Sequence, residues 1–368
     1  IFVHCTAMTL LRFQRTCRLA RQIVKDYMRV AFDINHRLRP FFADPQAFRS
    51  LQARTGTLIS GSTALQFFDR TCYRDTGLDL FVHEAHRREV GRWLLDVGYH
   101  FVPASYQASD FEVTILDSIS LSPTSLRMLD GIKTIMKFVK LLDGDIKRTV
   151  TVQLIVAQST PMEVILSTHS TCAMNVITYN KAYCLFARAT LEAHRSLLSS
   201  STHGIYRDRG QTLSKYTQRG FDFAFSIAHG DATPMFPLGW RWLDDMHTWV
   251  LPLDTTGIDS PRAPNALSMP LTHDPSVVCN WNMQQGSSRG VVMQFTIIKS
   301  DLLQYQYLVA DKDLSTCIGN HLAKQHLVEQ EKRGRNSETW ALYDSHLPEL
   351  CRSVVRHFAA RRMSCLNL

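Results

Sequence analysis

Two short stretches of the sequence carry residues suited to a phosphate-bearing ligand. "LISGSTAL" (Leu58 to Leu65) has the pattern of a buried strand that turns at Gly61-Ser62 directly into a helix. Glycine lets the backbone approach an anion closely, the first N–H groups of a helix point at it, and the serine hydroxyl adds a donor. "GLDLFV" (Gly77 to Val82) predicts a second strand, and its one carboxylate, Asp79, is the oxygen ligand that Mg²⁺ prefers.

Alternating strands and helices surround these two stretches. The hydrophobic patterns predict strands at 57–60, 78–82, 99–102 and 150–156, weaker strands at 111–116 and 134–139, and helices at 63–68, 85–97 and 161–167. "CAMNVIT" and "AYCLF" predict a strand pair followed by a helix to about Leu198. The pattern is typical of an α/β or α+β protein with a mixed sheet flanked by helices.

The two ends of the chain have different patterns. Near the N-terminus, an apolar stripe at helical spacing among Arg and Lys predicts a helix over 10–34, and Asp44-Pro45 predicts the start of a second helix that ends near Arg54. Toward the C-terminus we expect a basic helix over 209–219, a Pro-rich loop near 252–276, strands within 291–309, and helices over 314–330 and 337–361. We therefore divide the chain into an N-terminal helical segment (1–55), a core (56–200) and a C-terminal region (201–368).

The composition limits the compartment and the partners. There are 41 Lys and Arg against 33 Asp and Glu, a net charge of +8 that favours anionic partners. The nine cysteines are irregularly spaced without Cys-x-x-Cys, which argues against a disulfide framework and a thiolate zinc site and predicts an intracellular protein, cytoplasmic or nuclear. No apolar stretch has the length of a membrane span, so we expect no membrane partner.

The order of strand, Gly61-Ser62, helix and a strand bearing Asp79 resembles the nucleotidyltransferase fold of the DNA polymerase β superfamily. That family joins a Gly-Ser or Gly-Gly turn to an Asp-x-Asp strand. Two stretches, "GSTALQFFDRTCYRDTGLDLFVHEAHRREVGRWLLDVGYHFVP" and "VTVQLIVAQSTPMEVILSTHSTCAMNVIT", are similar to uncharacterised nucleotidyltransferase-like proteins of fungi. The resemblance covers roughly residues 55 to 200 and makes the core nucleotidyltransferase-like.

The resemblance implies a function and a set of site residues. Gly61 and Ser62 would bind the β and γ phosphates of ATP or another nucleoside triphosphate, and Asp79 would be the catalytic ligand of Mg²⁺. An acceptor hydroxyl, on a nucleic acid, a protein or a small molecule, would then attack the α-phosphate.

The acidic motif departs from the family pattern at two of its three positions. Gly77 stands at the first position of Asp-x-Asp, and in the strand "VTVQLIV" Gln153 stands where the third carboxylate is expected. With Asp79 alone, we expect a degenerate site. Three alternatives stay open: an active nucleotidyltransferase, a non-catalytic interaction module, and a nucleic-acid-binding module built on the same fold.

Three other acids are candidate helpers of Asp79 at the metal. Asp75 shares its strand parity but lies about 13 Å away along an extended strand. Asp110 and Glu112 would share one face of the strand predicted at 111–116. Among the remaining polar residues, we interpret His169 as a hydrogen-bonded core histidine and the basic stretch with Lys215 as a solvated helix face.

Overall fold

A computed structural model describes residues 2–354, apart from 74–76, 117–130, 143–147, 201–205, 228–234, 262, 287–289 and 335. The N-terminal segment forms four helices, α1 (Ala7–Phe13), α2 (Arg18–Ala31), α3 (Ile34–Leu38) and α4 (Pro45–Thr55). The single helix predicted over 10–34 is therefore wrong, because α1 ends at Phe13 and a new helix begins at Arg18. Cys17 is the N-cap of α2, and its Sγ accepts a hydrogen bond from Ala20 N. The predicted start at Asp44-Pro45 is confirmed, since Asp44 Oδ1 accepts from the N–H groups of Gln46 and Ala47, each at 3.0 Å.

The elements after α4 alternate between strands and helices. In chain order they are β1 (Leu58–Ser60), α5 (Gly61–Asp69), β2 (Leu78–Val82), α6 (Arg87–Asp96), β3 (His100–Val102), α7 (Phe111–Leu116), β4 (Ile132–Leu142), β5 (Arg148–Ala157), α8 (Pro161–Leu166), β6 (Asn175–Ile177), β7 (Lys181–Cys184), β8 (Arg195–Leu197), α9 (Tyr206–Thr217), β9 (Asp222–Ala224), β10 (Gly239–Trp242), β11 (Trp249–Pro252), β12 (Asn280–Gln285), β13 (Val291–Gln294), β14 (Thr296–Ile298), β15 (Tyr307–Val309) and α10 (Lys312–Arg333). Within the described residues, no helix is both long and apolar enough to cross a lipid bilayer.

The main sheet has eight strands in the order β11-β7-β6-β1-β2-β5-β4-β3. Strands β2 and β5 are parallel and the other neighbouring pairs are antiparallel. The predicted mixed sheet flanked by helices is therefore confirmed. The C-terminal region contributes to this sheet, because β11 is its edge strand beside β7.

Alternation along the central strands separates two hydrophobic cores. Leu78 and Leu80 of β2 face a core that also contains Phe48 of α4 and Leu94 of α6. On the opposite face, Phe81 packs in a core with α8 and with the three-stranded sheet β10-β12-β13. The sheet thus carries helices on one face and α8 with a second sheet on the other.

Besides the helix predicted over 10–34, three predicted elements differ from the structure. Residues 111–116 form helix α7, not a strand, because Phe111 and Ile115 are the buried pair at a spacing of four and Asp110 Oδ1 caps Val113 N at 3.0 Å. The helix predicted to run to Leu198 is a π-helical turn, Arg188–Glu192, that ends before His194 at a φ of +47° and leads into β8. The helix predicted over 337–361 is two short 3₁₀ turns followed by a helix over 347–354, and the later residues lie outside the described chain.

Candidate functional site

A row of polar side chains crosses four strands of the main sheet. Ser60 of β1 lies opposite Asp79 of β2, Asp79 opposite Gln153 of β5, and Gln153 opposite Lys137 of β4. Residues at one level of neighbouring strands point to the same face of a sheet. These four side chains, here called the polar row, therefore lie side by side, with Gln153 next to Asp79 where the sequence placed a third-carboxylate position.

The Gly-Ser turn brings the N-terminus of α5 against Asp79. Gly61 has a φ of +67°, in the left-handed region that favours glycine, and a Cβ added to it would lie 2.8 Å from Asp79 Oδ2. Ser60 precedes α5 but does not cap it through its side chain, because its hydroxyl donates to Asn175 O at 2.6 Å. The carboxylate therefore lies beside a helix end without a side-chain cap.

Asp79 is a carboxylate whose charge is poorly compensated. No described residue donates a hydrogen bond to Asp79, and burial raises its pKa to about 6, whereas the charge of Lys215 acts to lower it. Partial burial and the charge of Arg219 lower the pKa of Lys215, whereas the charge of Asp79 raises it. A cation or a proton bound at Asp79 would relieve the cost of burying its charge.

Helix α9 and the turn after it cover Ser62. Arg219 Nη1 donates to Ser62 Oγ at 3.1 Å, and the Tyr216 hydroxyl lies 3.4 Å from the same oxygen. The guanidinium of Arg219 lies 4.0 Å from the centroid of the Tyr73 ring and 5.2 Å from that of Tyr216. From the sequence we interpreted the basic stretch with Lys215 as a solvated helix face, and the contact of Arg219 with Ser62 was not predicted. The only sign of that contact in the sequence is the three-residue spacing of Tyr216 and Arg219.

The candidate helper acids are not brought to Asp79 in the described structure. Glu112 binds Arg88 and Arg92 of α6, with Oε2 to Nε at 2.8 Å and Oε1 to Nε at 2.5 Å. Asp110 caps α7, which packs through Phe111 on the face of the sheet opposite to the polar row. Their predicted role rested on a strand that is a helix, and Asp75 lies outside the described residues.

Other polar groups near the turn are held by the protein itself. His169 Nδ1 lies 2.6 Å from Ser170 Oγ, and its ring centroid lies 5.1 Å from that of Tyr216; the predicted hydrogen bond is present, but the side chain is half-buried and not part of the core. Asn175 is fully buried and donates through Nδ2 to Cys172 O at 2.7 Å. In the part of the chain that the structure describes, no group of three or more His, Cys, Asp or Glu side chains could hold a metal ion.

The Asp79→Asn variant is expected to gain stability at neutral pH. Because the folded pKa of about 6 lies above the ordinary aspartate pKa of 3.8, ionisation costs the folded state free energy as pH rises from about 4 to 6, and the cost persists above that range. Discounted for the partial exposure of Asp79, the gain should be about 1–2 kcal/mol near pH 7.5. Urea unfolding near pH 4 and near pH 7.5 measures it, with the exposed Asp301→Asn as the matched control. Equal gains at both values of pH would contradict it.

No protein-family model matches this chain, and neither a curated protein nor a solved structure matches it significantly. The function is therefore inferred from the polar row, from Gly61 and Ser62, and from the cations of α9 and the turn after it.

Proposed function

We propose that the chain is a nucleotidyltransferase-fold protein that binds a Mg²⁺–nucleoside triphosphate at Gly61, Ser62 and Asp79 and lacks the two-metal transfer reaction. The observation that carries the proposal is the Asp79 carboxylate, which packs against the first residue of α5 without a hydrogen bond from any described residue. A half-buried carboxylate that accepts no hydrogen bond from a described residue is costly to ionise, and a bound cation would offset that cost.

The phosphate side of the site rests on α5 and on Arg219. The first N–H groups of a helix and its dipole favour a negative charge, and α5 begins at Gly61. Ser62 can donate its hydroxyl hydrogen while its oxygen accepts from Arg219. Arg219 contacts the rings of Tyr73 and Tyr216 and has N–H groups besides the one that donates to Ser62, and its planar guanidinium suits a phosphate.

The residues present fit one magnesium ion and do not fit a pair. Mg²⁺ is commonly held by one or two carboxylates together with substrate phosphates, and Asp79 with the amide oxygen of Gln153 would satisfy that pattern. Gly77 contributes no side chain, and the next member of the polar row, Lys137, is a cation. When bound, Mg²⁺ would neutralise phosphate charge, whereas transfer also needs a second ion to clamp the attacking oxygen.

Equilibrium binding of ATP tests this proposal. Isothermal titration with and without Mg²⁺ should give binding that Mg²⁺ strengthens by about tenfold or more, since the ion offsets the charge of Asp79. Asp79→Asn should remove most of the Mg²⁺ dependence, and Arg219→Gln should weaken binding about tenfold with or without the ion. The matched control is Arg352→Gln, at an exposed arginine whose ion pair with a described residue is to Glu349.

Two results would overturn the proposal. Failure of the wild-type protein to bind ATP, or binding insensitive to both site variants, removes the nucleotide site. Transfer of labelled nucleotide to any acceptor in Mg²⁺, lost in Asp79→Asn, restores the active enzyme as the function.

A further inference from the structure

Two histidines from separate elements of the C-terminal region meet near the protein surface. His321 lies in the middle of α10, and His346 ends a 3₁₀ turn over Asp344–His346. His321 Nε2 lies 3.1 Å from His346 Nδ1, and the centroids of the two rings are 5.2 Å apart. They are 25 residues apart along the chain, so no local sequence pattern predicts their contact. These two side chains are here called the histidine pair.

Buried contacts fix the backbone on both sides of the histidine pair. On the side of α10, Ile318 and Leu322 pack in a hydrophobic core of the C-terminal region. On the side of the turn, the buried Asp344 carboxylate accepts from the backbone N–H groups of Gln304 and Tyr305, at 2.7 and 3.1 Å. The fold therefore holds the two imidazoles close together before any ligand binds, which lowers the entropic cost of binding one.

We propose that the histidine pair binds a divalent transition-metal ion, with Zn²⁺ as the representative member of the class. Imidazole nitrogens bind Zn²⁺ at about 2.0–2.1 Å, so two of them on one ion, at an angle of about 90–110°, lie about 2.9–3.4 Å apart. The observed 3.1 Å between the two nitrogens falls within that range. Without the ion, one ring donates a hydrogen bond to the other. With the ion, both lone pairs face the metal, and the donating ring carries its hydrogen on its other nitrogen.

The surroundings of the histidine pair favour a metal that binds through nitrogen over one that binds through charge. Imidazole suits Zn²⁺, Ni²⁺ and Cu²⁺, whereas Mg²⁺ and Ca²⁺ take oxygen ligands. Burial, the charge of His346 and the charge of Lys324 lower the pKa of His321, so its ring is neutral at pH 7.5 and keeps a lone pair for a metal. In the described chain, no third His, Cys, Asp or Glu completes a metal-binding group. Because His346 is exposed, water would fill the other positions, and binding would be weaker than at a structural site with four protein ligands.

Isothermal titration of the full chain with Zn²⁺ tests the proposal. His321→Gln and His346→Gln should each weaken one Zn²⁺-binding step about tenfold or more, because the ion loses one of its two nitrogen ligands. Glutamine is a matched replacement, since its amide can still form a hydrogen bond with the remaining ring but is a poor ligand for Zn²⁺. The chain has 15 histidines and nine cysteines, so the result is read from the difference between the variants and the wild type.

A third histidine on α10 provides the matched control. His326 is exposed, with its ring centroid 4.8 Å from that of Trp340, and His326→Gln should leave Zn²⁺ binding unchanged. With Cu²⁺ as the probe, electron paramagnetic resonance should show two nitrogen ligands in the wild-type protein and one in either variant of the histidine pair. The proposal is overturned if both variants of the pair bind Zn²⁺ like the wild type, if His326→Gln weakens the same step equally, or if Mg²⁺ binds the pair as tightly as Zn²⁺ does.

Discussion

The Gly61→Ala variant is expected to lose about 2 kcal/mol of unfolding free energy and to bind ATP at least about tenfold more weakly. A side chain at a φ of +67° strains the backbone, and the added Cβ at 2.8 Å from Asp79 Oδ2 forces the carboxylate away from the start of α5. The site would then lose the contact between Asp79 and the Gly-Ser turn on which nucleotide binding is proposed to depend. Urea unfolding and titration with ATP measure the two effects.

Gly319→Ala is the matched control for this substitution. Gly319 lies within α10 with nothing within 4 Å of an added Cβ, so alanine there should stabilise the helix by about 0.5–1 kcal/mol. Wild-type stability in Gly61→Ala would show that the turn relaxes without cost. Normal ATP binding by a destabilised Gly61→Ala would separate the strain of the turn from nucleotide binding.

The Asp344→Ala variant is expected to lose about 3–5 kcal/mol of unfolding free energy. The buried Asp344 carboxylate accepts from Gln304 N at 2.7 Å, Tyr305 N at 3.1 Å and the Tyr307 hydroxyl at 2.7 Å. Alanine would leave these three donors without their acceptor in a buried site. Tyr305 also donates to Arg54 O at 3.2 Å, so the loss would loosen the contact between the C-terminal region and α4.

Chemical denaturation of a graded series measures this effect. Asp344→Asn keeps one acceptor oxygen and should lose roughly half as much stability as Asp344→Ala. Asp301→Ala, at an exposed aspartate, should change stability by about 0.5 kcal/mol or less. A loss in Asp344→Ala no larger than that in Asp301→Ala would mean that water replaces the missing oxygen.

Local patterns predicted the elements around the candidate site well. Strand 78–82 has the bounds that its alternation predicted. Leu78, Leu80 and Val82 point to the buried face of the strand, and Asp79 points to the opposite face. Gln153 could be aligned with Asp79 because both strands have the same period of two. The nucleotidyltransferase fold and the roles of Gly61, Ser62 and Asp79 stay predictions.

The segment at 111–116 could not be assigned from its own residues. Its apolar positions fit both the period of two of a strand and the period near four of a helix. The helix forms because Phe111 and Ile115 pack together on the core and because Asp110 caps it. Because the segment is a helix and not a strand, Asp110 and Glu112 do not lie beside Asp79. In α2, the sequence showed apolar residues at helical spacing, but it did not show that Ala20 and Val24 are buried while Leu19 and Val30 face solvent.

By itself the sequence determined the strand-turn-helix unit, the orientation of Asp79 and the lack of further acids at Gly77 and Gln153, because each depends on residues close along the chain. Only the tertiary structure decided that Arg219 reaches Ser62 across a separation of 157 residues, that Lys137 completes the polar row, and that α2 turns Leu19 and Val30 to solvent. These features depend on which surfaces pack together. Packing is determined by all the buried side chains jointly, so no local sequence pattern predicts it.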